Sequence, residues 1–209
     1  MKHRTLLIIL GVSIIVLVSS LGIVFAFQNR GSSEDEKPTE IVELDNIPEY
    51  GYVLEDRDTE LYKSTFDDMR EVLTKEEVDY KKYAELLSKL YIVDLYTISN
   101  KMNQYDVGGS DFVLESAKES YELKVKDTLY KFVEDNSYGK REQLLPEVSN
   151  IEVDEVDSVK VKVDNGTYDG YVVSLNWEYI EDLGYDSSAK VTLIKKDNKV
   201  FVTNQSAAA

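Results

Sequence analysis

The pattern of apolar positions begins with an uncharged run of 23 residues, 5–27, made mostly of Leu, Ile and Val. As an α-helix this run would be about 34 Å long, enough to cross a hydrocarbon core of roughly 30 Å. The backbone polar groups of such a helix are satisfied internally, as lipid requires. The pattern therefore predicts one transmembrane helix over residues 5–27.

The residues that flank this run predict its orientation. Lys2 and Arg4 precede it, and positive flanks stay in the cytoplasm, so residues 1–4 are expected inside the cell. The rest of the chain is then expected outside the cytoplasm, with the cell membrane as its location. A cleaved signal peptide is the alternative, because Val24-Phe25-Ala26 is an acceptable cleavage site. The apolar run is longer than the usual signal core of about 7–15 residues, which favours an anchor.

Residues 28–45 are polar and acidic, include Pro38, and are typical of a flexible tether. Beyond them, apolar residues recur at helical spacing in three stretches. The first helix should begin near Asp58, an N-cap residue type. The Thr-x-x-Glu capping box of residues 74–77 predicts a second helix that runs to about Asn103. A third helix is expected over about 112–134, after Gly108-Gly109. Its apolar face comprises Leu114, Ala117, Tyr121, Val125, Leu129 and Phe132.

After Pro146 the period changes from helical to two. Apolar and polar residues alternate in four runs, the clearest being Tyr171 to Tyr179, and alternation with β-branched and aromatic residues indicates strands. Asn165-Gly166 and Asp197-Asn198 are turn signals between them. The sequence thus predicts an α+β domain over residues 46–204, with about three helices packed on a C-terminal antiparallel sheet of about four strands. Residues 205–209 are expected to be a disordered tail.

Composition excludes several functions. After residue 30 the chain holds 21 basic and 40 acidic residues, a formal net charge of −19. Such a domain should repel nucleic acid and an anionic lipid surface. The chain has no Cys, and its one His, His3, lies before the apolar run. Thiol nucleophiles, Ser-His-Asp triads and metal sites built from Cys or His are therefore excluded from the domain. We expect no catalytic residue, no metal and no cofactor, and predict that the protein is not an enzyme.

Four residues are candidates for binding a partner or a ligand. Asp94 interrupts an otherwise apolar part of the second helix, and a buried carboxylate must be paired or protonated. A structural hydrogen bond is one interpretation, and a position inside a helix–sheet cleft is the other. Tyr91 and Tyr96 flank Asp94, and Tyr suits both interfaces and cores. Trp177, centred on its strand, is expected to anchor the core of the sheet.

The layout resembles that of the inner-membrane scaffold proteins of type IV secretion and conjugation systems. These carry a short cytoplasmic N-terminus, one transmembrane helix and a domain of the nuclear-transport-factor-two-like, cystatin-like superfamily. The resemblance lies in Lys89 to Tyr96, the Gly-Gly break, the helix from Phe112, and the strands Tyr171 to Tyr179 and Val200 to Thr203. It implies a non-enzymatic assembly role with self-association and contacts to other envelope proteins. The alternative is an extracytoplasmic ligand-binding or sensing module, with a pocket between helix and sheet.

Overall fold

A computed structural model describes residues 37–208, of which residues from Thr39 onward form one compact unit. The predicted transmembrane segment, residues 5–27, lies outside the described residues. Between residues 37 and 208 no helix combines the length and apolar character that crossing a bilayer requires. The unit has three α-helices and a four-stranded antiparallel sheet, so the α+β prediction is confirmed.

The first secondary structure of the described residues is a hairpin that the sequence did not predict. Strand β1 spans Glu43–Ile47 and pairs antiparallel with β2, Tyr52–Glu55. The turn between them closes with a hydrogen bond from Tyr50 N to Ile47 O, and Gly51 takes the positive φ of 70° that the turn requires. The predicted tether, residues 28–45, therefore overlaps an ordered strand at its C-terminal end.

Two helices follow, and their caps differ from the predicted ones. Helix α1 spans Glu60–Leu73, and its N-cap is Thr59, one residue after the predicted Asp58. Helix α2 spans Tyr80–Tyr96 with Asp79 as its N-cap, so the predicted capping box is wrong. Thr74 instead ends α1, because its hydroxyl donates back to the carbonyl of Arg70 at 2.9 Å.

The second and third helices are both shorter than predicted. Helix α2 ends at Tyr96 because the next segment turns to the strand region, where Ile98 N donates to Pro146 O at 2.9 Å. After a short 3₁₀ turn, helix α3 covers Glu115–Asp127 rather than 112–134. It ends early because the N–H groups of Thr128 and Tyr130 both donate to Val125 O, which closes the helix.

The four predicted strands are confirmed as a meander in the order β3-β4-β5-β6. They span Val148–Val163, Gly166–Tyr179, Ser188–Lys196 and Lys199–Ser206. The predicted turn pair Asp197-Asn198 is confirmed, and both of its residues have positive φ. The other turn is Asp164-Asn165, one residue before the predicted pair, because Gly166 already begins β4. The last strand continues through Gln205 and Ser206, two residues into the predicted tail. Strands β3 and β4 extend beyond the pairing of β4 with β5, so the end of their hairpin, residues 160–169, projects past the paired part of β5.

Helix α2 lies at the centre of the core. It packs against α1 and against strands β3, β4 and β6, and eleven of its 17 residues are buried. A helix that is apolar on most sides is expected to be buried on several faces, and α2 confirms this expectation. Alternate residues of β4, Val173, Leu175 and Trp177, face the same core. Trp177 is 3% exposed, which confirms it as a core anchor of the sheet.

Candidate functional site

A cleft lies between α3 and the end of β6, with the last turns of α2 at its base. We call it the α3–β6 cleft. Its volume is about 610 Å³, within the roughly 300–1,000 Å³ of typical ligand sites. The residues that line it include Tyr91, Tyr96, Ala117, Tyr121, Lys124, Val125, Leu129, Thr203 and Gln205.

The apolar face of α3 lines this cleft. Ala117, Tyr121, Val125 and Leu129 follow each other at the spacing that the sequence assigned to the core. Within α3, however, Val125 is the one buried residue, and Ala117 is exposed. An amphipathic helix normally buries its apolar face against another layer. Here that face is covered only in part, because Tyr121 and, just past the end of α3, Leu129 are half-buried against the core while Ala117 is exposed. The uncovered part borders the cleft, where a bound group could cover it.

Three polar side chains are joined at the base of the cleft. The Tyr91 hydroxyl donates to Gln205 Oε1 at 3.0 Å, and Gln205 Nε2 donates to the Tyr96 hydroxyl at 2.8 Å. Burial raises the pKa of Tyr91 to about 12, and burial also raises the pKa of Tyr96. Both phenols are therefore neutral at physiological pH. They offer hydroxyl groups whose orientation Gln205 fixes.

Strand β6 supplies the other wall of the cleft. In the part of the chain that the structure describes, β6 ends the sheet. A single parallel bridge from Val113 to Val202 covers the middle of its outer edge. Beyond that bridge, Thr203 and Gln205 line the cleft. Backbone groups at an uncovered sheet edge can pair with an added strand.

Trp177 supports the cleft from behind. Its ring packs against Tyr96 with centroids 4.9 Å apart, and its indole N–H donates to the Tyr179 hydroxyl at 2.8 Å. The Tyr179 hydroxyl in turn donates to the carbonyl of Asp186, which lies at the cleft margin. Trp177 does not line the cleft, so it positions Tyr96 rather than contacting an occupant.

Asp94 lies on another side of α2, away from the cleft. Its carboxylate pairs with Lys101, whose side chain is 2% exposed, and accepts a hydrogen bond from Gly109 N at 2.6 Å. A Cβ on Gly108 would lie 2.1 Å from the Asp94 carbonyl oxygen, so glycine is required at that close approach. Asp94 thus fixes the Gly108-Gly109 loop to α2. Of the two interpretations of Asp94, the structural one is the one that the contacts support.

A small polar pocket of about 140 Å³ lies beside Asp94. Arg57 and Asp106 form an ion pair there, and Asp106 also accepts from Met102 N at 2.7 Å. Burial alone would raise the pKa of Asp106, but these hydrogen bonds lower it. Burial raises the pKa of Asp58, the predicted helix cap, to about 6. The polar groups of this pocket are largely paired with one another, which suits a structural network.

The structure therefore brings Tyr91 and Tyr96 together in one site, with Trp177 packed behind Tyr96 and outside the cleft lining, and Asp94 on another side of α2. Sequence reasoning missed Gln205, which it assigned to the tail. Its neighbours in the sequence gave no signal, because its two partners lie more than 100 positions away. The cleft offers hydroxyl groups, an amide and the ammonium of Lys124 among apolar side chains. Among residues 37–208 no group of three or more Asp, Glu, His or Cys side chains is arranged to hold a metal ion.

Comparison with known proteins assigns no family. No protein-family model matches the chain, and neither the curated proteins nor the solved structures searched give a match. The conclusions that follow therefore rest on the fold, on the cleft and on the sequence pattern.

Proposed function

We propose that this protein is a single-pass, membrane-anchored scaffold or adaptor of the cell envelope, whose extracytoplasmic domain binds a segment of a partner protein in the α3–β6 cleft. Residues 5–27 are its anchor. The observation that carries the proposal is the apolar face of α3, which is only partly packed against the core and otherwise borders the cleft. Following the layout resemblance, we propose a bacterial conjugation or secretion complex as its setting. The partners are then other envelope proteins or a second copy of the chain.

The chemistry of the cleft favours an extended peptide segment. The uncovered end of β6 offers backbone groups for an added strand, and the apolar residues of α3 offer contacts for its side chains. Tyr91 and Tyr96 are almost fully buried at the base of the cleft, and the half-buried Tyr121 forms part of its wall. Tyr is a residue type enriched at protein interfaces. The domain is strongly acidic, so a partner with basic residues around the bound segment would associate faster.

The test blocks the cleft in the full-length chain. Ala117→Trp places an indole in the cleft, and Glu119→Trp places the same group two positions along α3, outside the cleft lining. Envelope proteins that cross-link to each variant in intact cells are compared with those of the wild type. We expect Ala117→Trp to reduce specific cross-links at least 10-fold and Glu119→Trp to leave them unchanged.

Two outcomes would contradict the proposal. Equal cross-linking of both variants would show that the partner binds elsewhere than the cleft. Resistance of the domain to protease added to intact, wall-stripped cells, with digestion after lysis, would contradict the extracytoplasmic location. The melting temperatures of both variants serve as the control, since Ala117 and Glu119 are both exposed and neither change should unfold the domain.

A small-molecule ligand is the second candidate occupant. The hydrogen-bonded chain of Tyr91, Gln205 and Tyr96 favours it, because a few fixed polar groups in an apolar cleft are typical of ligand sites. A ligand of this kind would raise the melting temperature of the wild type and of Glu119→Trp, but not that of Ala117→Trp. A peptide partner would give the cross-links described above, so the two candidates are distinguishable.

A further inference from the structure

The domain has a second surface with exposed apolar side chains, apart from the α3–β6 cleft. It is the loop of residues 132–144, which follows α3 and exposes large apolar side chains. Phe132 is 78% exposed, Leu144 71% and Tyr138 50%. Ile41, Val42 and Leu44, where the chain approaches β1, are also exposed large apolar residues. Single exposed apolar residues are ordinary, but several of them on one loop of an acidic domain indicate a contact surface.

The backbone of this loop is fixed by hydrogen bonds from polar side chains, which keep its apolar side chains exposed. Gln143 Nε2 donates to Phe132 O at 2.9 Å, and Gln143 Oε1 accepts from Glu134 N at the same distance. The Arg141 guanidinium donates to the carbonyls of Ser99 and Lys101 at 2.6 and 2.8 Å. The loop is thus held against the end of α2 while its apolar side chains point outward.

The chain enters the domain at this same loop. Thr39 N donates to Ser137 O at 2.7 Å, next to Tyr138. Thr39 lies 12 positions after Phe27, the last residue of the predicted anchor. A chain spans at most about 3.3–3.6 Å per residue, so Thr39 is within roughly 40 Å of the membrane at full extension. This loop therefore lies beside the point at which the tether joins the domain.

We infer that the 132–144 loop rests on the lipid surface of the membrane that anchors the chain, with Phe132, Tyr138 and Leu144 in the interfacial region. This inference depends on the proposed membrane anchor. Aromatic and Leu side chains are favourable at the headgroup boundary, where Tyr keeps its hydroxyl in water. The Lys131 ammonium lies 5.2 Å from the centroid of the Phe132 ring and can extend toward phosphate groups.

The local charge of the loop permits this contact although the domain as a whole is acidic. Lys131, Lys140 and Arg141 balance Glu134, Asp135 and Glu142, so residues 131–144 have no formal net charge. The expectation that the acidic domain stays off an anionic surface applies to its other faces. Binding through a neutral, apolar loop requires no anionic lipid, so zwitterionic phosphatidylcholine is a sufficient partner.

The projecting β3–β4 hairpin provides a matched position away from this surface. Met102, just beyond the C-terminal end of α2, accepts from Asn136 of the loop, whereas Tyr80 at the N-terminal end contacts the turn between β5 and β6 through Asn198. The hairpin projects past β5 on that second side. Helix α2 has 17 residues and is about 25 Å long, so Lys162 on the hairpin is far from the loop.

The absence of Cys from the chain makes the test direct, because one introduced thiol can be labelled alone. Full-length Ser19→Cys, Tyr138→Cys and Lys162→Cys are each labelled with a fluorophore and inserted into phosphatidylcholine nanodiscs that contain spin-labelled phosphatidylcholine. We expect strong quenching at position 19 and at position 138, and at least threefold weaker quenching at position 162. Quenching at 19 without quenching at 138 would overturn the inference and leave the anchor intact. No quenching at 19 would contradict the anchor itself.

A second measurement identifies the side chains responsible. Phe132→Ser with Leu144→Ser should reduce the quenching at position 138 several-fold, whereas Leu123→Ser, an equally apolar exposed site on α3, should not. The fluorescence of Trp177, the only Trp in the chain and a buried one, checks that each variant is folded. Unchanged quenching in the folded double variant would contradict a contact made through these residues.

Discussion

Two sides of helix α2 carry polar groups with opposite consequences. On one side, Asp94 is enclosed by Lys101, Gly109 and the loop that they fix. On the other, the hydroxyls of Tyr91 and Tyr96 meet Gln205 at the base of an open cleft. The first arrangement leaves only a small polar pocket of about 140 Å³ and uses most of its hydrogen-bonding groups within the domain. The second leaves space beside apolar and polar groups. Polar residues in one apolar helix can therefore serve stability on one side and binding on the other.

The largest expected effect is on the enclosed side. Asp94→Asn removes the charge that neutralises Lys101, which is 2% exposed, and breaking a buried ion pair costs about 3–5 kcal/mol. Denaturant unfolding followed by Trp177 fluorescence should show a loss of that size. The double variant Asp94→Leu with Lys101→Met should lose less, because it leaves no unpaired buried charge. Equal losses in the single and double variants would mean that the ion pair is not the cause.

An intermediate loss of unfolding free energy is expected at Gly109, which binds Asp94 and lies against the Tyr91 ring. Gly109 and Gly184 both have φ of 78°, so Ala costs about 1 kcal/mol of backbone strain at either position. A Cβ on Gly109 would also lie 2.9 Å from the Tyr91 ring, whereas one on Gly184 would have no atom within 4 Å. Gly109→Ala should therefore lose a further 1–3 kcal/mol or so of unfolding free energy. Similar losses at both glycines would show that the packing around Gly109 adjusts freely.

The smallest effect is expected in the cleft. Tyr91→Phe removes one hydrogen bond to Gln205 and keeps the ring, so unfolding free energy should fall by only about 0.5–1.5 kcal/mol. The same change should weaken whichever occupant uses the hydroxyl, measured as partner cross-linking or as a ligand-induced melting shift. A loss as large as that of Asp94→Asn would contradict the distinction between the two sides of α2.

Much of the fold could be predicted from local pattern. The alternation from Tyr171 to Tyr179 and the turn pairs Asn165-Gly166 and Asp197-Asn198 depend on residues close in sequence, and the structure confirms four strands there. The boundaries were less predictable, since each depended on a distant partner. Helix α2 ends because Ile98 meets Pro146, and β6 continues because Lys190 and Val191 pair with Ser206 and Gln205.

The candidate site shows where local pattern fails. The spacing of Ala117, Tyr121, Val125 and Leu129 indicates an apolar face, but no spacing reveals whether that face meets a packed layer or a cleft. The interruption at Asp94 signalled a paired carboxylate, which is half-buried at 21% exposure, yet its partners Lys101 and Gly109 lie in a loop whose path could not be predicted. Tyr91 and Tyr96 were identified as candidates by residue type, and the structure places both in the cleft.

The hydrogen bond between Tyr91 and Gln205 has a consequence for the order in which parts of the domain fold. These residues are separated by 114 positions, so a chain that is synthesised from its N-terminus contains Tyr91 long before Gln205. Helix α3 can form early, but β6, the second wall of the cleft, can pair with β5 only after residues 199–206 have been added. The cleft is therefore complete only in a chain that already includes β6.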